Sequence, residues 1–316
     1  MSFEIGSAVA DCFEACDHEL LGIGRSLRGT TGFVKRRDVR FSQTPGRPPI
    51  PFLAPALLFM AAVFLTPLLF VAYTSVIGDQ GFSLAYYAEV ATHPLYRRII
   101  ENSLEISVTA TVCTLLVAYP IAYHLSRRTA RQRALLAILV LLPFWTSILV
   151  KSFAFTVLLG RAGIVNKLLG AIGLAPLPLL FNRTGVMIGL THYLVPFMVF
   201  AILPSLLSQP PELRRAAELM GAGSMRIFCA ITLPLSLPGV MAGLLLCFIL
   251  SLGTFVTPAL LGGRTDLMIA NLIDFNIHET LDWNLGAALA IVLAVITAIC
   301  ALVLGRVRGG NLFGEG

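Results

Sequence analysis

The sequence predicts an all-α integral membrane protein: six transmembrane helices, with one large polar loop between helices 4 and 5. Three observations predict it. Of 316 residues, 57% are hydrophobic and only 13% charged, with mean hydropathy +0.84, too apolar for a soluble domain. Apolar stretches at 52–77, 103–125, 134–159, 185–207, 236–262 and 285–304 are each long enough to cross a bilayer, which takes about 20 residues. Basic residues gather in alternate loops between them.

Residues 1–51 form a polar tail of weak periodicity ending in the turn-rich run TPGRPPIP, and read as a flexible segment. No short apolar core with a small-residue cleavage site precedes the first span, which is expected to stay as an anchor. Cys12, Cys16 and His18 are clustered, but a structural zinc site needs four ligands at recognisable spacing, so no metal or other cofactor is expected. Cys113, Cys247 and Cys300 lie in apolar spans as small hydrophobes, and no disulfide framework is implied. Lys35, Arg36, Arg37 and Arg40 form a basic cluster that anionic membrane lipid would attract, or simply a solvated face.

The spans at 52–77, 103–125, 134–159, 185–207 and 236–262 carry Pro67, Pro120, Pro143, Pro196, Pro204 and Pro258, read as kinks rather than breaks because membrane helices tolerate proline where neighbours satisfy the freed backbone. Gly239 and Gly243 form a small-xxx-small pair suited to close helix packing. The tail, the loop with Arg127, Arg128, Arg131 and Arg133, the loop with Arg214, Arg215 and Arg226, and the end with Arg306 and Arg308 share one side. The other side holds Arg97, Arg98, Arg161, Lys167, Arg183 and Arg264. This bias puts both termini and the 210–234 loop in the cytoplasm. The net charge of +6 then needs no nucleic acid to explain it, and no nucleic-acid module is recognisable. The domain reading is a cytoplasmic tail at 1–51, a membrane domain at 52–305 and a cytoplasmic tail at 306–316.

The fourth inter-span loop, PPELRRAAELMGAGSMRIFCAITLPLSLP (210–238), interrupts the oily sequence with polar and small residues. Pro210 and Pro211 can open a helix whose first turn needs no N–H donors, and Gly221 can close it in a left-handed conformation. Leu213, Ala216, Ala217 and Met220 fall at i, i+3, i+4 and i+7 as one apolar stripe, while Glu212, Arg214, Arg215 and Glu218 face away. The alanines let another backbone approach, so this face suits a partner's cleft. Ser224 is expected to cap a second short helix leading into Leu233-Pro234.

This loop resembles the cytoplasmic loop of permease subunits of ABC importers, with the pattern E-A-A, three residues, G, nine residues, I-x-L-P. Ala216, Ala217, Gly221, Ile231, Leu233 and Pro234 fall in register with it, whereas Arg215 stands where the family usually has Glu. AYPIAYHLSRR (118–128), LLPFWTSILVKSFAFTVLLGRAGIVNKLLGAIGL (141–174), LPLLFNRTGV (177–186) and LGTFVTPALLGG (252–263) are similar to spermidine/putrescine-type permeases. The resemblance implies a type I importer permease fold in the bacterial inner membrane. It also implies a cytoplasmic ABC ATPase dimer docked on the loop, a second related permease forming a heterodimer, and a periplasmic solute-binding protein. Polyamine is the expected solute; opines, aminophosphonates and similar small solutes stay open.

No G-x-x-x-x-G-K-[ST], H-E-x-x-H or serine-triad pattern occurs, so the chain is not expected to be an enzyme and ATP chemistry is assigned to a separate subunit. A gradient-driven carrier would want a carboxylate near the bilayer centre and inverted repeats, and neither is seen. Phe144, Trp145, His192 and Tyr193 are candidates to line a path for an organic cation, or ordinary helix packing. Lys151, toward the outer end of the third span, can snorkel to headgroups or serve a pore. Arg97, Glu101 and Glu105 read as an interfacial charge ladder, and Asp266, Asp274, Glu279 and Asp282 as an acidic outer loop.

Overall fold

The computed structural model describes residues 50–78 and 81–310. Cys12, Cys16, His18, the basic cluster at 35–40 and the end of the chain at 311–316 lie outside the described residues. The chain divides into two compact units, Met1–Phe59 and Met60–Gly316. What is described of the first is the opening of one helix, from Ile50.

Among the described residues the structure is built of helices and their connections, apart from a short hairpin in which β1 (Ile77–Gly78) pairs antiparallel with β2 (Gly81–Phe82). The helices are α1 (Ile50–Val76), α2 (Ala85–Thr92), α3 (Pro94–Ser126), α4 (Ala130–Leu141), α5 (Ile148–Leu159), α6 (Ile164–Ala171) and α7 (Arg183–Leu207). They continue with α8 (Pro211–Leu219), α9 (Ser224–Ile227), α10 (Leu233–Leu252), α11 (Val256–Leu261), α12 (Ile269–His278) and α13 (Trp283–Gly310). Among the described residues, six segments are long and apolar enough to cross a membrane: Pro55–Val76, Pro94–Ser126, Ile148–Ala171, Arg183–Leu207, Ser224–Leu252 and Trp283–Val303.

At the centre α7 packs against α3 on one side and α10 on the other. Leu190, Leu194, Met198 and Ile202 recur every fourth residue on α7, are fully buried, and meet Ile106, Ala110, Ala118 and Ala122 of α3 and Val240 and Cys247 of α10. Lipid tails are as apolar as leucine, so such contacts gain little from leaving the bilayer, and close approach of small residues supplies the attraction instead. Gly239 and Gly243 of α10 sit against Ser205, Ala201 and Met198 of α7, as their spacing predicts. A smaller cluster joins Val90 of α2 to Leu285 and Leu289 of α13.

Two stretches expected as continuous spans are interrupted. The stretch 134–159 is not one helix: Leu142–Trp145 forms a 3-10 turn between α4 and α5, so Pro143 breaks the helix rather than kinking it. The Pro143 carbonyl accepts from the Thr146 N–H at 3.4 Å, from Thr146 Oγ1 at 2.8 Å and from Lys151 Nζ at 2.9 Å, which satisfies the backbone inside apolar surroundings. Lys151 therefore turns back onto its own chain, 5.6 Å from the Tyr193 ring, instead of snorkelling outward. The stretch 236–262 likewise ends early, at Leu252, and Pro258 lies in the separate short α11. Thr254 Oγ1 bonds the Leu250 carbonyl at 2.7 Å and Asn271 Nδ2 the Phe255 carbonyl at 2.9 Å, so the irregular turn is paid for by side chains. Pro67, Pro120, Pro196 and Pro204 stay inside continuous helices, as expected.

Candidate functional site

The 210–234 loop folds as two arms. In the first, Pro210 is the cap residue of α8 and Pro211 its first helical position, where the missing N–H costs nothing. Gly221 follows at φ +79°. Its N–H bonds the Glu218 carbonyl and the Ala222 N–H the Ala217 carbonyl, both at 3.0 Å, the pair of bonds that closes a helix through a left-handed glycine. In the second arm, Gly223 and not Ser224 is the cap residue of α9; Ser224 is the first helical residue and makes no cap bond. Phe228–Thr232 then winds as one π-turn into α10, with the Leu233 N–H bonded to the Phe228 carbonyl.

No residue of α8 is buried. Leu213 is half exposed, Leu219 is 90% and Met220 87% exposed, and Ala217 is partly covered. The stripe of Leu213, Ala216, Ala217 and Met220 thus lies open, with Leu219 beside it, a residue the stripe did not include. Arg214, Arg215 and Glu218, on the opposite face, line a groove of about 500 Å³ together with Tyr123 of α3, Arg127 just after it, and Ile231. Glu218 pairs with Arg214 at 2.7 Å, both side chains about half exposed. Arg127 lies 4.7 Å from the Tyr123 ring centre and donates to its hydroxyl at 2.7 Å. Gln209 Nε2 bonds the Thr232 carbonyl at 3.0 Å and ties the two arms together. Leu233 and Pro234 begin α10 and are exposed.

The four aromatic candidates do not converge. His192 lines a cavity with Cys113, Pro143 and Thr191, and its ring meets Phe155 edge-on at 5.2 Å. Tyr193 opens to a different cavity beside Ile148 and Thr254, and Phe144 to a third beside Phe200 and Leu246. Phe144 and Tyr193 both pack edge-to-face on Phe197, at 5.6 and 5.5 Å. Trp145 is 84% exposed.

At the far end from the loop, Arg98, Glu101, Asn102 and Glu105 of α3 share a polar cavity with Asn182, Arg183 and Asp266. Arg97 pairs with Glu101 at 3.2 Å, and Glu105 with Arg183 of α7 at 2.9 Å, so the charge ladder also bridges two helices. Among the described residues no group of three or more His, Cys, Asp or Glu could hold a metal ion.

Residues 81–308 match the family of binding-protein-dependent transport system inner membrane components. The spermidine/putrescine transport system permease protein PotB of Haemophilus influenzae is 34% identical over 259 residues, 80% of this chain and 87% of its own. Its counterpart in Escherichia coli K12 is 32% identical over 77% of this chain and 91% of its own. A chain of a bacterial alginate ABC transporter, solved with a periplasmic protein bound to alginate pentasaccharide, superposes with TM-score 0.68 over 81% of this chain and 92% of its own at 20% identity, which is a likeness of fold. With the match running from β2 into α13, through both arms of the loop, the chain belongs to the family of binding-protein-dependent inner membrane transport components.

Proposed function

We propose that this chain is one of two membrane subunits of an ATP-driven importer of a small organic cation, a polyamine of the spermidine/putrescine kind. The observation that carries the solute is the 34% identity to a spermidine/putrescine permease across 87% of that protein's length. ATP hydrolysis resides in a separate subunit. The 210–234 loop meets that ATPase dimer in the cytoplasm: Leu213, Ala216, Ala217 and Met220 enter its cleft, Gly221 fixes the end of α8, and Arg215 and Glu218 hold the polar side. Ile231, Leu233 and Pro234 carry the loop into the membrane. The second permease is a different, related chain, and a solute-binding protein docks on the periplasmic face. Residues 1–51 and 306–316 are cytoplasmic tails flanking the permease domain. Phe144, His192, Tyr193 and Trp145 contribute aromatic surface along the pathway.

The test is uptake. Co-expressed with an ATPase, a second permease and a binding protein, the chain is expected to support ATP-dependent accumulation of labelled spermidine or putrescine in vesicles. Uptake of an opine or aminophosphonate instead, with no competition by polyamine, would replace the solute but keep the class. Uptake by the chain alone under a proton gradient would overturn the class.

Orientation has its own support. Of the 23 basic residues, 16 fall in the tail, at 127–133, at 214–226 and at 306–308, against six at 97, 98, 161, 167, 183 and 264 on the other side. Single cysteines at Arg131 and Ser224 are expected to be shielded from an impermeant thiol reagent in intact cells, and one at Glu279 to react. Reversal at either loop would invert the topology.

A further inference from the structure

The open face of α8 explains how a partner is met, but not how its motion reaches the membrane helices. The first arm has no buried residue, and it joins α7 through the turn Ser208–Pro210. The second arm is anchored. Ile227 is 4% and Thr232 5% exposed, and between them the Phe228 ring sits against two tyrosines one helical turn apart on α3. It meets Tyr119 at 5.8 Å and 87°, and Tyr123 at 5.5 Å and 88° between ring centres, so both contacts are edge-to-face, the arrangement aromatic quadrupoles favour. The Tyr119 hydroxyl lies 2.9 Å from Ser236 Oγ at the start of α10, and Ser236 is fully buried. Phe228 also opens the π-turn, a local rewinding that recurs at functional sites and here aims the ring at α3.

We infer that Phe228, clamped by Tyr119 and Tyr123, is the positioning residue through which displacement of the loop is delivered to the second membrane span. The inference rests on the reading of 210–234 as the coupling loop. It adds that the stroke enters through the second arm into α3, and passes from α3 to α7 along the buried face of Ile106, Ala110, Ala118 and Ala122. Two edge-to-face contacts and one hydroxyl bond make a joint that resists shear, where aliphatic side chains would slide.

The experiment uses the full complex with its ATPase and binding protein. Phe228→Ala is expected to co-purify with the ATPase and keep its basal ATP hydrolysis, while stimulation by loaded binding protein and uptake fall by about tenfold or more. Phe228→Tyr, which keeps the ring edges, should retain most of both. Tyr119→Ala should reproduce the defect from the other side of the joint, and the double variant should be no worse than the worse single. If Phe228→Ala fails to assemble, Tyr119→Ala carries the test alone. Gly221→Val in the same assay separates the two readings. A defective Gly221→Val beside a fully coupled Phe228→Ala, or additive losses in the double variant, would overturn the joint and leave the loop in place. Wild-type coupling in both Gly221→Val and Phe228→Ala would overturn both.

Discussion

Gly221→Val is expected to yield a chain that inserts, assembles and still meets its binding protein, but whose stimulated ATP hydrolysis and uptake fall by about tenfold or more. The reason is backbone strain alone. Gly221 holds φ +79°, and a Cβ built there would have nothing within 4 Å among the described residues, so none of them obstructs a side chain. A left-handed conformation costs an ordinary L-residue of order 1–2 kcal/mol, and more for a β-branched one. That cost falls on the bonds from Gly221 and Ala222 to Glu218 and Ala217, which end α8. A nine-residue helix with no buried side chain has little tertiary support to set against it, and so short a helix is marginal by itself. A penalty of this size is then enough to unravel the last turn and swing Met220 and Leu219 off the face they present. Gly221→Asn, which visits the left-handed region more readily, should lie between wild type and valine. Wild-type transport with normal ATPase stimulation in Gly221→Val would remove the loop from its proposed role.

The parts of this architecture that were legible in the sequence are those written in short-range patterns. Pro210-Pro211 and Gly221 bound α8 because proline fixes φ locally and glycine admits the positive φ that closes the helix, and the fourfold spacing of Leu190, Leu194, Met198 and Ile202 lies within an apolar stretch long enough to be read as a span. Span ends were harder to read. Hydropathy runs smoothly through Pro143 and through Gly253, yet the helix stops at both, because carbonyls freed there are taken by Lys151, Thr254 and Asn271, the last from a distant element. Other such tethers were equally silent. Asn166 holds the Gly160 and Leu177 carbonyls and the Leu177 N–H, and Asn102 holds the Thr265 and Leu267 carbonyls across more than 160 residues. A lone Asn within a helix, as at 102, 166 and 271, carries no periodic signal, so only the folded chain shows what it binds. Phe228 was missed for a related reason. Its neighbours Tyr119 and Tyr123 stand more than 100 residues earlier in the stretch AYPIAYHLSRR, and nothing in the spacing of either stretch says that they meet.

The two glycines of α10 were read as an equivalent pair, and the structure makes them unequal, from which the second large effect follows. Gly239→Ala is expected to lower the stability of the α7–α10 contact by about 1–3 kcal/mol, the usual range for overpacking, while Gly243→Ala costs clearly less. A Cβ at position 239 would press on Ser205 Oγ, lie 2.8 Å from Ser205 Cβ and 3.0 Å from the Ala201 carbonyl oxygen, atoms fixed to the backbone of α7. At position 243 the near atom is Met198 Sδ at 2.6 Å, in a flexible side chain that can turn away, with Ala201 Cβ next at 3.3 Å. Helices in lipid are held by contact at close range, so a forced separation at 239 also loosens the neighbouring contacts of Val240 and Cys247 with the α7 stripe. Thermal unfolding of the detergent-solubilised complex should therefore rank wild type above Gly243→Ala and Gly243→Ala above Gly239→Ala. Gly239→Val, with two more methyl groups against the same backbone, should fail to accumulate as folded protein. Equal unfolding temperatures for the two alanine variants would mean that α7 and α10 do not meet at this distance, and the central packing described for the second unit would have to be redrawn.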